Sequence, residues 1–235
     1  MTAVAMPGPQ AAAVLPAAST ALPGLLSRQS AAPLMDAIVR YRGLETGALH
    51  VPGHAGGGIV GAELRTLEPW QAEEFIAHMD RARETVDPWI RWASISTDLA
   101  SARETLQRYA DLQARDAGRI YGIWLDGVLV GGTLFGSFDA EDGNCEIGCW
   151  LEPAATGRGL ITRAVRLMID YALVTRGLHR VEWHCRTDNK ASSNVARRLG
   201  MTLDGTLRAS YLWKGVRHDS EIWALLASDR PDAAG

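Results

Sequence analysis

EPAATGRGLITRAVRLMIDYA, residues 152–172, joins a glycine-flanked arginine directly to a segment of helical period. From about Gly159 to Thr175 the apolar residues Leu160, Ile161, Ala164, Val165, Met168, Tyr171 and Ala172 recur at helical spacing. Arg163, Arg166 and, further on, Asp170 take the opposite side. A helix start presents unpaired N–H groups and the positive end of the peptide dipoles. Gly157 and Gly159 let the backbone approach a ligand closely and adopt conformations barred to other residues. Strand, glycine turn and amphipathic helix together suit a phosphate or pyrophosphate. Taken alone, a short Gly-x-Gly before a helix is more often an ordinary tight turn, and neither GxGxxG nor GxxxxGK[ST] is present.

Working outward, AELRTL (62–67) alternates as a short strand, and Glu68-Pro69 opens a helix to about Ala82. DPWIRW (87–92) reads as an aromatic loop, and Thr97 as the N-cap of a helix over 98–115. RIYGIWL and VLVGGTLFGSF flank Asp126-Gly127, a strong hairpin signal. CEIGCWL, HRVEWHCR, MTLDGTLR and RHDSEIWALL are further strands, with NKASSNVARRLG a helix stopped by Gly200. The order βααβββαβαββ predicts an α/β (α+β) layered domain, a mixed sheet of about seven strands flanked by about four helices.

At 235 residues the chain is long enough for one domain with an appendage. Its net charge of −3 provides no global attraction for nucleic acid, so any anion site must be local. Cys145, Cys149 and Cys185 form no CxxC pair and are too few for a disulfide scaffold. Cys145 and Cys149 share one strand face and read as small packing residues, not as a metal pair. No apolar run reaches membrane-span length. The N-terminus has Arg28 as its first basic residue and is broken by Pro7, Pro9, Pro16 and Pro23, a poor secretion signal. The expectation is a cytoplasmic protein, monomer or homodimer, without metal, membrane or nucleic-acid partner.

Together with CEIGCWLEP before it and NKASSNVARRLGM after it, the opening stretch resembles the GCN5-related N-acetyltransferases (the GNAT superfamily). It is most similar to the subfamily that acetylates N-terminal amines of ribosomal proteins. Four motifs carry the resemblance in order. They are Glu146-Ile147-Gly148-Cys149-Trp150-Leu151; Gly157-Arg158-Gly159-Leu160-Ile161-Thr162; Asn189 and Ser192 through Leu199-Gly200-Met201; and His218-Asp219 to Leu225-Leu226. The superfamily's pyrophosphate motif is Q/R-x-x-G-x-G/A. Here Thr156 replaces the leading residue, leaving it free to cap the helix, and Ile161 replaces the small last one. The resembling region spans roughly 59–228.

The resemblance implies acetyl-coenzyme A as donor and direct attack by an amine on its thioester, without metal. The acceptor is an N-terminal amine of a protein or an amino-bearing small molecule. The pyrophosphate would rest on the amides of Gly157, Arg158, Gly159, Leu160 and Ile161 beside Thr156, and the pantetheine arm would pair with backbone near Trp150 and Leu151. Glu146 is the expected base, with solvent exposure or an arginine partner as the plain alternative. Ser192 is expected to assist the departing thiol and Asn189 to contact the cofactor, though Asn189 equally suits a plain N-cap; Ser193 is the reserve. Trp89 and Trp92 stand where the family places an acceptor wall, against simple core packing. The other tryptophans, Trp70 among them, are expected to be structural.

Residues 1–32 read as a disordered Ala/Pro-rich tail, and 229–235 as a short disordered one. Residues 33–58, with His50-Val-Pro-Gly-His54 and a glycine linker, resemble the opening arm of ornithine/lysine/arginine decarboxylases. A non-catalytic acyl-CoA-binding module and an accessory partner of a polyamine-forming decarboxylase are therefore the alternatives.

Overall fold

The computed structural model describes residues 61–230. The expected tail 1–32, the arm 33–58, residues 59–60 and residues 231–235 lie outside them; of the expected tail 229–235, Asp229 ends a 3-10 turn and Arg230 pairs with Asp170 at 2.5 Å, so these two belong to the ordered domain. In chain order the elements are β1 (Ala62–Thr66), α1 (Ala72–Val86), α2 (Arg91–Ile95), α3 (Leu99–Ala114), β2 (Arg119–Leu125), β3 (Val128–Asp139), β4 (Asn144–Leu151), α4 (Leu160–Asp170), β5 (Arg180–Arg186), α5 (Lys190–Arg198), β6 (Thr202–Trp213) and β7 (Val216–Leu226). The seven strands form one sheet in the order β1-β2-β3-β4-β5-β7-β6. Every neighbouring pair is antiparallel except β4 with β5, which is parallel because α4 carries the chain back across one face.

Local chemistry accounts for the connections. Asp126 and Gly127 have φ of 50° and 79°, the left-handed pair that a two-residue hairpin needs. α3 is capped by Asp98 and not by Thr97: the Asp98 Oδ1 accepts the Ser101 N–H at 2.8 Å, while the Asp98 N–H reaches back to Ser101 Oγ at 3.1 Å. The DPWIRW segment, expected as a loop, runs into the short helix α2. Its Ile90 and Trp92 are buried, and that burial overrides weak local propensity. α2 brings the α-helices to five among the described residues.

Two cores lie on opposite sides of the sheet. One gathers Phe75, Met79, Trp92, Leu106 and Trp150 beneath α1, α2 and α3. The other gathers Ile147, Leu160, Val165, Met168, Trp183 and Val195 beneath α4 and α5. Trp70 departs from the expected packing, being 76% exposed. Across β3 and β4 the large ring of Trp150 is accommodated by Gly132, its direct cross-strand partner. A Cβ on Gly132 would run into that ring and into the Tyr121 carbonyl oxygen. Gly132→Ala is expected to destabilise the fold by about 1–3 kcal/mol through overpacking, read as a lower urea midpoint at unchanged slope.

Candidate active site

The parallel ladder between β4 and β5 has three rungs, Asn144↔Arg180, Cys145↔Val181 and Glu146↔Glu182. Past Glu146 the strands part: β4 runs on to Leu151 beside β3, and β5 runs on to Arg186 beside β7. A V-shaped opening therefore begins at Glu146, bounded by an edge of β4 that has no neighbouring strand among the described residues. Strand alternation places Glu146, Gly148 and Trp150 on the side of α1 and α3, and Cys145, Ile147 and Cys149 in the other core. In β3, Phe135 faces Ile147 while Ser137 faces Glu146, so Gly136 is an extra residue. A bulge of this kind re-aims the strand beside it.

Glu146 is buried, with 7% of its surface exposed. His184 on β5 sets Nδ1 3.6 Å from Glu146 Oε2 and Nε2 2.8 Å from Glu182 Oε2. Glu182 Oε1 in turn accepts from Arg180 Nε at 2.6 Å, and Arg180 also reaches Asp204 Oδ2 at 2.6 Å. The hydrogen bond from His184, together with Arg180, holds the Glu182 carboxyl down at about 2 in spite of its partial burial. Burial by itself would lower His184. The Glu182 hydrogen bond and the charges of Glu146 and Glu182 outweigh it and raise the imidazole above its ordinary 6.5. On the α3 side, burial pushes the Tyr109 hydroxyl up to about 12, and the Glu146 charge adds to the rise. Tyr109 is therefore a neutral O–H at working pH.

A second buried chain fixes the far end of β4. The Trp150 indole N–H donates to His78 Nε2 at 3.0 Å, and His78 Nδ1 lies 3.3 Å from Glu152 Oε2. Accepting at Nε2 assigns the His78 proton to Nδ1, which donates to Glu152; burial depresses the His78 pKa and keeps the ring neutral. Arg81 Nε completes the chain by donating to the same Glu152 oxygen at 3.0 Å. The strand end that leads into the glycine turn is thus clamped to α1.

At that turn Gly157 and Gly159 have φ of 78° and 73°. A Cβ on either would meet open space, so conformation and not crowding requires glycine there. Gly159 is the N-cap of α4, and no side chain caps the helix. Thr156 therefore does not take the capping role its hydroxyl permits: Thr156 Oγ1 turns back and donates to the Pro153 carbonyl at 2.8 Å. The first turn of α4, Leu160 to Thr162, whose amides have no partner within the helix, lines a cleft of about 620 Å³ between the N-terminal half of α4 and the length of α5. Arg163, Arg166, Lys190 and Arg198 also line it, so a helix dipole and four basic side chains converge on one space. Arg158 is exposed at the turn itself. Leu160 and Ile161 point their side chains into the core, which explains why a bulky residue is tolerated at 161.

α5 is capped by Asn189, whose Oδ1 accepts the Ser192 N–H at 3.1 Å. Ser192 is fully buried and its hydroxyl oxygen accepts the Trp183 indole N–H at 2.9 Å. Ser193 instead donates to Glu221 Oε2 at 2.6 Å. Of the two expected wall residues, Trp92 is buried in the core, its ring 5.0 Å from Trp150 and 5.4 Å from Phe75. Trp89 is half-buried, with the Arg186 guanidinium 4.7 Å from its ring centre. Burial pushes the Cys145 thiol up to about 12 and the Cys185 thiol up to about 11, the reverse of nucleophile activation. Among the described residues no cluster of three His, Cys, Asp or Glu is arranged to hold a metal ion. No helix among them is long and apolar enough to cross a membrane.

Sequence reasoning passed over His184, Glu182, His78 and Glu152. The alternation of HRVEWHCR places Glu182 and His184 on one face, a signal that was available. That this face adjoins Glu146 depends on the parallel register.

A sheet that splays at a buried glutamate beside a glycine-opened helix start defines an acyl-transfer fold, and residues 63–202 match the acetyltransferase (GNAT) domain model. The chain belongs to that family of N-acetyltransferases. It is 30% identical to YdaF of Bacillus subtilis (strain 168), which carries a provisional name as a ribosomal N-acetyltransferase; the match covers 69% of this chain and 90% of that protein. It is 27% identical to the ribosomal-protein-serine acetyltransferase of Escherichia coli (strain K12), over 57% of this chain and 75% of that one. A solved structure of RimL, a ribosomal L7/L12 alpha-N-protein acetyltransferase in complex with coenzyme A, superposes with a TM-score of 0.69 at 22% identity, covering 73% of this chain and 97% of that one. The microcin C7 self-immunity acetyltransferase MccE, in complex with acetyl-CoA and AMP, gives a TM-score of 0.67 at 22% identity, covering 72% and 91%.

Proposed function

We propose that this protein transfers the acetyl group of acetyl-coenzyme A to an N-terminal α-amine, with ribosomal proteins as the leading acceptors. The observation that carries the reading is a basic cleft at the start of α4 that reaches Leu151, at the far end of a strand opening whose apex is Glu146. The donor set fits the cofactor: positive-φ glycines, a helix start without a side-chain cap, and basic side chains suited to phosphates. The ribosomal acceptor is supported by the names of the relatives. A cytoplasmic location follows from the same reading.

When bound, acetyl-coenzyme A supplies a thioester acyl group that an amine attacks directly. Gly157, Gly159 and the first-turn amides of α4 hold its phosphates, with Arg158, Arg163, Arg166, Lys190 and Arg198 around them. The β4 edge near Trp150 and Leu151 takes its arm, and an amide of that edge faces the developing oxyanion charge. Asn189 shapes the start of α5 beside the arm, and Ser192 gives a hydrogen bond to the departing thiol. Trp89 bounds the acceptor side. Glu146 accepts the amine's proton. A carboxylate suffices for an α-amine of pKa about 8, which is roughly one-tenth neutral at pH 7, whereas a lysine amine near 10.4 asks far more of it.

Thiol release from acetyl-coenzyme A tests the proposal, with a short peptide bearing a free N-terminal serine, the same peptide already acetylated, a polyamine and an amino antibiotic as acceptors. Turnover is expected with the free peptide and not with the blocked one. Coenzyme A binding without thiol release for any amine would overturn the enzyme reading.

A further inference from the structure

We propose that Glu182 and His184 form a carboxylate–imidazole relay that receives the acceptor's proton from Glu146, His184 holding it until the product leaves. The inference rests on the acetyl-transfer reading with Glu146 as base.

The last rung of the parallel ladder sets Glu146 and Glu182 side by side at the apex of the opening. Two neighbouring carboxylates disfavour each other's ionisation unless a cation or proton sits between them. His184 is two residues beyond Glu182 on the same strand face and bridges the two carboxylates. Its Nε2–H donates to Glu182 at 2.8 Å, which fixes the tautomer and turns the Nδ1 lone pair toward Glu146. The 3.6 Å between Nδ1 and Glu146 Oε2 is longer than a hydrogen bond. One proton added to the pair closes that gap.

The charged and titratable groups around the imidazole are Glu146 from β4 and Glu182 and Arg180 from β5, with Tyr109 of α3 facing Glu146. Across β7 its cross-strand partner is Ile222, which does not titrate. The Arg180 charge is matched by Glu182 and Asp204, so the net field at the ring favours its protonation. Glu182, held near 2, stays ionised and orients the ring without taking the proton itself. The step is a proton transfer alone. The proton leaves the amine nitrogen for Glu146 Oε2, passes to His184 Nδ1, and leaves the imidazolium for water at a side chain that is 18% exposed.

The test is the pH dependence of kcat for the full 235-residue chain, with saturating acetyl-coenzyme A and a peptide bearing a free N-terminal serine. Wild type, His184→Gln and Glu182→Gln are compared. Wild-type kcat is expected to fall on the acid side with an apparent pKa above 6.5, because the relay accepts a proton only when the imidazole is neutral. Glu182→Gln removes the interaction that raises His184, so that limb moves down by about one pH unit. His184→Gln lowers kcat by roughly tenfold and abolishes the limb, with coenzyme A affinity retained. An acid limb in the same place in all three proteins overturns the relay; should His184→Gln fail to fold, the position of the limb in Glu182→Gln decides. Full activity in Glu146→Gln would instead overturn Glu146 as base, a separate failure.

Discussion

Glu146→Gln is expected to lower kcat by about 10²–10⁴-fold while leaving coenzyme A affinity unchanged. The substitution keeps the volume of a side chain that is only 9% exposed and removes its ability to take a proton. The phosphate cleft is built by α4 and α5, away from the apex of the opening, so binding and chemistry separate in this variant. The residual rate should rise with pH as more of the acceptor amine becomes neutral, since the enzyme no longer removes its proton. Calorimetric titration with coenzyme A beside steady-state thiol release reads both halves. A variant that loses coenzyme A affinity as steeply as rate would assign Glu146 to architecture.

Gly159→Ile is expected to do the opposite, weakening coenzyme A by roughly 10- to 100-fold through loss of about 1.5–3 kcal/mol of charge-assisted hydrogen bonding. Gly159 has φ of 73° and initiates α4 with no side-chain cap. A β-branched residue is a genuine outlier in that region, at about 1–2 kcal/mol. Relaxing the strain rotates the first-turn amides away from the cleft. The Cβ itself meets open space, so the fold should survive with a small fall in Tm while the cofactor Kd rises. An unchanged Kd would show that the arginines, and not the backbone, hold the anion.

Much of the fold was readable because its signals are local. Asp126-Gly127 forms the hairpin, Gly200 stops α5, and the apolar stripe of α4 faces the core from Leu160 to Ile169. What escaped reading was decided by packing at a distance. α2 is helical because Ile90 and Trp92 are buried in a core that includes Leu134 and Trp150, far along the chain. Thr97 lost the cap to Asp98, one position on, since a carboxylate there reaches the N3 amide. Within the site, the glycine turn and Glu146 belong to continuous motifs. The His78–Trp150 bond joins residues 72 apart, and Glu182 meets Glu146 only through a crossover whose register no local pattern encodes.

The three-rung join between β4 and β5 has a consequence for the chain's breathing. On one side stand β1 to β4, strands that are neighbours in sequence; on the other are β5, β7 and β6, again nearly so. The parallel join has three rungs, against five to eight in every other ladder of the sheet, so it opens with the fewest inter-strand hydrogen bonds to break. Amide hydrogen exchange should therefore divide the sheet into two slowly exchanging wings with a faster seam at residues 144–146 and 180–182. A cofactor arm laid between β4 and β5 would extend that seam, so coenzyme A should slow exchange along both strands beyond the rung at Glu146.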